Sequence, residues 1–543
     1  MEEILDWLKL AEKFAEEGNA QAILGAAEEI LEIDKNCAEG YAVTAEANLY
    51  LGEIATAENF LEKTFALDKN NLRGRLVQGG IAAEKFQLLE EFKIFDAVIN
   101  DAKKLADNFF AQKILYKALI WSVNGLYLAG NAKAAAENLR EASTLIFNNE
   151  RAAELYSKHL FFRNYFETDS AAIKNFAQDY NKFFANIQPC APEKFSHSKI
   201  KIGYISPDFR KHAAANFVSP LLNNFDAEKF SVTCYSTGKS DGVTQKLKNK
   251  KISWRDLYNA AAAEIAKIIR ADEIDILVDL SGHSQNSCLP VLAYKPAPVQ
   301  ICALGYTATT GLNAVDYFLS DTICEAENFT EKILTLDGCQ FCYAPLNKFP
   351  SVKHKKNNFV TFGSFNNFAK VTDEVLKLWK KILDAVPNSK LIIKNKICSV
   401  EDGRKILIDR LQKINFPVEK VELRPYSKNY LEEYNEIDIA LDTFPYNGGL
   451  TTCEALYMGV PVITLQGNFH GAKIGASILT AANLPELIAQ DLQDYIKKAV
   501  ELGRQKLFKD YQKNLREKIS KSALTDAQNY MLALEKIYCE IIK

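Results

Sequence analysis

Apolar residues recur every three or four positions through the first 150 residues, then give way past about Ile187 to short apolar runs separated by amphipathic stretches. The first rhythm is that of helices with one buried stripe, the second that of strands alternating with helices. Within the helical part the chain repeats itself. "EEGNAQAILGAAEEILEIDKN" is echoed by "YLGEIATAENFLEKTFALDKN", so that Gly18 pairs with Gly52 and Asp34 with Asp68, each 34 residues apart. That period belongs to solenoids of paired helices. A further copy surrounds Gly130, and the segment between is irregular and rich in Phe and Lys. The glycines suit the tight turn inside each pair, and the alanines after them allow close helix approach. Residues 1–150 are therefore expected to form a helical repeat array, with 151–198 as a helical linker that "PCAPEKFSHS" closes.

From Lys199 onward "IKIGYIS", "FSVTCYS", "IDILVDLSG", "VQICALGY", "DYFLSD" and "KILTL" read as strands of one sheet. After the polar link "NKFPSVKHKKN", a second series runs "FVTFGSF", "KLIIKN", "VELRPY", "IDIAL" and "VPVITL". Strands interleaved with helices predict parallel sheets covered on both faces, hence two doubly wound α/β domains at 199–350 and 351–543. Ligands of such sheets sit beyond the carboxyl ends of the strands, and a tandem pair encloses a cleft. The final stretch, "KSALTDAQNYMLALEKIYCEIIK", predicts an amphipathic helix that packs back over the assembly.

Composition narrows the function. With 66 basic and 69 acidic residues the chain has no overall electrostatic footprint for nucleic acid or anionic membrane. The acidic N-terminus does not read as a secretory signal, and no run reaches the roughly 20 apolar residues of a membrane helix. Eleven scattered cysteines read as reduced thiols, so a cytoplasmic protein is expected. Cys339 and Cys342 form an isolated CxxC with neither a second pair nor a nearby histidine, a weak signal for metal or redox use.

The candidate chemistry gathers at strand ends. In "LDTFPYNGGLTTCEALYMGVPVITLQG" the strand Ile437–Leu441 ends at Asp442, the loop Asn447-Gly448-Gly449 turns sharply, and a helix starts near Thr451. Its free N–H groups favour an anion such as a phosphate, with each charge-assisted hydrogen bond contributing roughly 1.5–3 kcal/mol. Thr451-x-x-Glu454 also fits a capping box, and both readings stay open. "FVTFGSFNNFAK" repeats the layout, placing Asn366, Asn367 and Lys370 in a loop before a helix capped at Thr372. Lys370 could neutralise a leaving phosphate. In the first α/β domain Asp208 and His212 follow the first strand, His283 follows "ILVDLSG", and the turn Leu304–Gly311, with Tyr306 and Thr309, lies on the same rim. The two histidines suit proton handling or sugar binding. No Asp-x-Asp occurs, so a lysine and a helix terminus, with no metal, are expected to carry the phosphate charge.

Taken together, "KPAPVQICALGYTATTG", "DYFLSD", "SFNNFAK" and "LDTFPYNGGLTTCEALYMGVPVITL" resemble the O-linked N-acetylglucosamine transferase family. In that family tetratricopeptide repeats precede a two-domain catalytic region of the GT-B type, and this chain resembles a bacterial-type member. The resemblance implies that His212 is the active-site histidine, that Lys370 lies on the diphosphate, and that Thr451 and Thr452 form the phosphate-binding helix start. It puts Glu454 at the ribose hydroxyls and Tyr430 near uracil, with Ser427 or Lys428 in place of a family lysine. The implied reaction is direct displacement by a Ser or Thr hydroxyl at the anomeric carbon of a UDP-sugar, with inversion and without a metal or other cofactor. Thr307 and Ala308 stand where the family often has Pro-Gly, Leu450 where a polar residue is common, and Lys473 where arginine is usual. These residues border the sugar and phosphate sites, so the donor is N-acetylglucosamine or a related hexose.

The expected protein is thus a UDP-sugar-dependent protein O-glycosyltransferase whose repeats present a protein or peptide acceptor, with neither nucleic acid nor membrane insertion in its work. Two alternatives remain, a catalytically silent repeat scaffold that binds UDP and a transferase with a carbohydrate acceptor.

Overall fold

A computed structural model describes Glu2 to Ile542 except Ala106, Pro192, Lys194, Glu325, Ala326 and 354–356; part of "PCAPEKFSHS" and of the link "NKFPSVKHKKN" therefore lies outside the described residues. The chain divides into two compact units, one to Phe147 together with Val400–Ile406, the other Asn148–Ser399 with Leu407 onward.

The first unit is a stack of helix pairs: α1 (Glu2–Glu16) with α2 (Ala20–Ile33), α3 (Ala38–Tyr50) with α4 (Ile54–Leu67), α5 (Leu72–Glu84) with α6 (Leu88–Lys104), and α7 (Phe109–Leu128) with α8 (Ala132–Thr144). Gly18, Gly52 and Gly130 make three of the turns with φ of 70°, 79° and 81°. The segment that reads as irregular is in fact a complete pair. Its turn residue, Phe86, stands 34 residues after Gly52 and takes the left-handed φ of 54° without being glycine. Each pair shares its core with the next, as in the cluster of Ala45, Ala57, Leu61, Val77 and Ile81 from α3, α4 and α5. Buried Arg73 on α5 pairs with Glu12, Glu39 and Glu46 at 2.5–2.6 Å, and Lys117 on α7 pairs with Glu12 and Glu46, so an ionic network ties the odd-numbered helices together.

The second unit holds two parallel sheets. The first comprises β1 (Ile200–Ser206), β2 (Phe230–Ser236), β3 (Ile252–Asp256), β4 (Ile276–Asp279), β5 (Val299–Cys302), β6 (Tyr317–Asp321) and β7 (Lys332–Leu336), in the order β3-β2-β1-β4-β5-β6-β7. The second comprises β8 (Val360–Ser364), β9 (Ser389–Lys394), β10 (Val421–Arg424), β11 (Ile439–Leu441), β12 (Val462–Leu465) and β13 (Ile488–Ala489), in the order β10-β9-β8-β11-β12-β13. Strand order reverses at β1/β4 and at β8/β11, the switch points where doubly wound sheets bind ligands. The apolar runs marked eleven of these strands. The two others are β3, the polar-rich edge strand "ISWRD", and β13, only two residues long.

Helices α9 (Asn149–Arg163) and α10 (Ser170–Gln178) belong to the first α/β core: Tyr156, Leu160 and Ala177 pack in one cluster with Ile205, Leu277 and Phe318. The last helix, Ala527–Ile541, also returns to the first sheet's domain, where Tyr538 meets Tyr204 (3.4 Å between hydroxyls) and Tyr530 donates to the Gln340 carbonyl (3.0 Å). The expected packing of that helix is what the structure contains.

Candidate active site

The loops after β9, β8 and β11 converge at the carboxyl edge of the second sheet. Asp442, directly after β11, is buried, and its two oxygens organise the turn. Oδ1 accepts from the Gly448 and Thr443 N–H groups at 2.7 and 2.9 Å, and Oδ2 from the Thr464 hydroxyl at 2.7 Å. Burial pushes this carboxyl up to about 6 against those bonds and the Lys370 charge. Glycine at 448 keeps this turn unstrained, because a Cβ would lie 2.6 Å from Thr451 Oγ1, 2.8 Å from Thr452 Oγ1 and 2.9 Å from Asp442 Oδ1.

The helix Leu450–Tyr457 then starts from Gly449 without a side-chain cap. The capping box allowed by Thr451-x-x-Glu454 does not form, because the helix starts one residue before Thr451 with Gly449 at the N-cap; Glu454 instead accepts from the Tyr430 hydroxyl. That leaves the first turn's N–H groups unshielded by any side chain, the condition in which a helix start attracts an anion. Thr451 Oγ1 donates to Asn366 Oδ1 (2.9 Å) and Thr452 Oγ1 to the Gly448 carbonyl (3.1 Å). Asn366 also approaches Asp442 Oδ1 (3.4 Å) and accepts from Asn395 on its own carbonyl (2.7 Å).

Lys370, half-buried in the loop after β8, donates to the Asn447 carbonyl at 2.8 Å and lies 4.2 Å from the centre of the Tyr446 ring. Burial pushes its pKa down to about 8, and the Asp442 charge opposes the fall. Asn447 is itself a strut: Nδ2 donates to the Thr443 carbonyl (2.9 Å) and Oδ1 accepts from Gly475 N–H (3.3 Å). Asn367 is exposed and caps its own short turn. Beyond the first turn, buried Glu454 has its carboxyl pushed up to about 7 by burial. Ser427 donates to Glu433, which also receives Lys394 at 2.8 Å, while Lys428 is exposed.

His212 stands apart from this cluster, in the loop after β1. Its Nδ1 lies 3.3 Å from Asp208 Oδ2 and 3.3 Å from the Ala214 N–H, so the ring donates to the carboxylate when Nδ1 is protonated and accepts from the backbone when it is not. Burial raises the Asp208 carboxyl, with His212 and Arg210 opposing. The His212 side chain is 44% exposed, and the Lys211 N–H, donating to Asp241 at 2.8 Å, pins its loop. Among the described residues no hydrogen bond or ion pair joins His212 to the Lys370 cluster.

Three other candidates lie beneath the rim rather than on it. His283 is fully buried between Ser157 Oγ and the Thr310 carbonyl, each at 2.8 Å. A carbonyl only accepts, so Nε2 carries the proton, Nδ1 takes the Ser157 hydroxyl, and burial pushes the ring pKa down to about 4. A neutral histidine with both nitrogens engaged has nothing left for proton handling. Tyr306 is buried with its hydroxyl accepting from Asn164 (3.2 Å), and Thr309 donates to buried Glu331 (2.6 Å). The sequence marked Asp442 only as the end of a strand and did not mark His470. His470, also buried, joins the second α/β domain to the first, meeting the Thr307 carbonyl (3.1 Å) through Nδ1 and the Gln340 amide (3.1 Å) through Nε2. Cys339 and Cys342 are buried thiols pushed up to about 12, far from thiolate chemistry at neutral pH.

A cavity of about 650 Å³ opens next to this cluster, lined by Ile333 and Thr335 of β7 and by Gln466, Asn468, Lys473 and Gln490. Gln466 follows Leu465, whose carbonyl accepts from Asn447, so the cavity adjoins the back of the turn. Among the described residues no three His, Cys, Asp or Glu gather to hold a metal, and no helix is long and apolar enough to cross a membrane.

Two doubly wound parallel sheets in succession are the GT-B class of glycosyltransferase fold, here preceded by a helical repeat array. The chain belongs to Glycosyl transferase family 41, which matches residues 185–358 and 352–534. It is 35% identical over 383 residues to a probable UDP-N-acetylglucosamine–peptide N-acetylglucosaminyltransferase SPINDLY of Hordeum vulgare (68% of this chain, 41% of the relative). To the protein of the same description from Arabidopsis thaliana it is 37% identical over 355 residues (62% of this chain, 39% of the relative). The chain thus spans about four tenths of the length of these curated relatives. Among solved structures, a mutant of the Thermobaculum terrenum O-GlcNAc transferase superposes over 99% of this chain and 97% of its own, with a TM-score of 0.73 and 27% identity.

Proposed function

We propose that this protein transfers N-acetylglucosamine from its UDP donor to Ser or Thr hydroxyls of a polypeptide, with inversion and without a metal. The observation that carries this reading is the pairing of Lys370 with an uncapped helix start on one Asp442-organised turn, in a chain whose family relatives are described as UDP-N-acetylglucosamine–peptide transferases.

In this account the acceptor oxygen forms a bond to the anomeric carbon while the bond from that carbon to the diphosphate oxygen breaks, and UDP departs with the electron pair. The Lys370 ammonium and the N–H groups at Leu450–Thr452 take up the charge developing on the diphosphate, preorganised before the reaction. Asn366 holds the Thr451 hydroxyl and Asn447 positions Lys370. Glu454, with Tyr430 beside it, receives the ribose hydroxyls, and the tyrosine ring stands near the base. His212, with Nδ1 turned to Asp208, leaves Nε2 for the acceptor hydroxyl proton. The repeats present the acceptor chain, and the eleven free thiols suit a reducing cytoplasmic setting. Thr307, Leu450 and Lys473 bear on the choice of sugar.

A donor panel tests the reading. Purified protein is incubated with a protein extract in EDTA and either UDP-N-acetylglucosamine or UDP-glucose, and peptides are sequenced by mass spectrometry. An N-acetylhexosamine increment on Ser or Thr is expected with the first donor. A hexose increment alone would replace the donor, and UDP binding with no increment from either would favour the silent scaffold.

A further inference from the structure

The helical array contains a carboxylate that its own packing does not use. Glu91, in the first turn of α6, is 1% exposed, and its Oε1 has no hydrogen-bond partner among the described residues. It lines a cavity of about 540 Å³ between α3, α5, α6 and α7. Gly125 on α7 makes the space, since a Cβ there would come within 2.1 Å of Oε1. Internal cations are committed elsewhere: Arg73 and Lys117 are held by Glu12, Glu39 and Glu46.

The walls and mouth are aromatic. Trp121 meets Tyr50 edge to face at 5.7 Å, and Tyr50 and Phe86 stay 43% and 54% exposed although both are large and apolar. Phe86 is the residue that replaces the turn glycine of the other pairs. Exposed Glu84 adds a second negative charge at the rim. A pocket walled by aromatic rings, with Asn124 among its lining residues, a buried carboxylate at its floor and an acidic rim complements a long alkyl stem ending in a cation. Burial holds Glu91 up at about 8, so near neutral pH the empty pocket holds a protonated carboxyl, cation binding releases that proton, and binding strengthens as pH rises through about 8. Glu84 and Tyr50, whose hydroxyl donates to Glu46 (3.3 Å), are the other ionisable groups at the cavity.

We propose that this cavity is a docking pocket for a lysine or arginine side chain of a polypeptide partner, the stem lying against Trp121, Tyr50 and Phe86 and the cation reaching Glu91. The pocket binds whether or not the α/β unit transfers sugar, so its test is independent of that reading.

The full chain is titrated with the capped pentapeptides Ala-Ala-Lys-Ala-Ala, Ala-Ala-Arg-Ala-Ala and Ala-Ala-norleucine-Ala-Ala, followed by saturation-transfer NMR, with cadaverine as a free-amine control. Binding of the lysine and arginine peptides in the millimolar range is expected, as for a single-side-chain contact, with the norleucine peptide weaker by about tenfold or more. At pH about 9, where Glu91 is ionised and the peptide lysine is still charged, Glu91→Gln keeps the shape and removes the charge, so it is expected to weaken the lysine peptide by about tenfold with the thermal melt retained. Phe86→Gly restores the turn residue of the sister repeats, safeguards folding, and is expected to weaken binding by removing one wall. The proposal fails if Glu91→Gln binds the lysine peptide like the parent, if norleucine serves as well as lysine, if cadaverine binds as tightly as the peptide, or if no peptide binds at about 10 mM.

Discussion

Lys370 and Asp442 are each held away from their ordinary protonation behaviour by burial, in opposite directions. The depressed lysine binds its proton less well folded than unfolded, so its contribution to stability rises with pH from about 8 into the ordinary lysine range. The raised aspartate binds its proton better folded, so its contribution is lost as pH rises from the ordinary aspartate range through about 6. At neutral pH the fold therefore keeps both charges at a cost to stability. If the ammonium is what the diphosphate meets, kcat/KM falls above pH about 8, and Lys370→Arg moves that limb beyond the measurable range. Asp442→Asn removes the charge that holds the lysine up, so the same limb moves to lower pH; rate profiles of the three proteins check both statements. Lys370, Asn366 and Thr451 were legible in the sequence because each lies in the polar loop or helix start that links an apolar strand to the next helix. Asp442 was not legible as the organiser, because its partner Thr464 lies on the next strand and only folding brings them together. His283 shows the converse: its place after β4 was correct, but Ser157 on α9, 126 residues earlier, closes over it.

The element that decides the site is the short helix Leu450–Tyr457 with its two preceding glycines, which differ in what surrounds them. A methyl at Gly448 collides with both threonines and with Asp442, whereas nothing lies within 4 Å of one at Gly449. Gly448→Ala is therefore expected to lose roughly 1–3 kcal/mol, the usual cost of overpacking, and to lower kcat/KM about tenfold or more. Gly449→Ala is expected to melt like the parent. Equal melting temperatures for the two variants would contradict this reading of the turn. Most strands announced themselves as apolar runs, since a parallel strand covered on both faces has no polar side. The edge strand β3 alternates with polar residues, and β13 is too short to leave a pattern. The third helix pair escaped because Phe86 occupies the position where the other turns show glycine.

Over the whole molecule the sequence period and the change of rhythm were enough to announce a repeat array before two α/β domains. It was less plain that α9 and α10 would enter the first α/β core and that the last helix would return to the same domain, because both depend on contacts between distant parts of the chain. The second unit, Asn148–Ser399 with Leu407 onward, has its own cores and every residue of the Lys370 cluster. A fragment starting at Asn148 is accordingly expected to fold and to bind UDP with the affinity of the full chain, while losing most transfer to protein acceptors; calorimetry and a transfer assay on the same preparation check this. The central claim is that a lysine and an uncapped helix start, with no metal, hold the departing diphosphate. Its most direct test is the initial rate of sugar transfer from UDP-N-acetylglucosamine to protein in EDTA, for the parent and for Lys370→Ala. The account predicts full activity of the parent in the chelator and a loss of one to a few orders of magnitude in the variant, as fits removal of one charge-assisted contact at about 1.4 kcal/mol per tenfold. Transfer by Lys370→Ala at the parent rate, or abolition of the parent's transfer by EDTA, would contradict it.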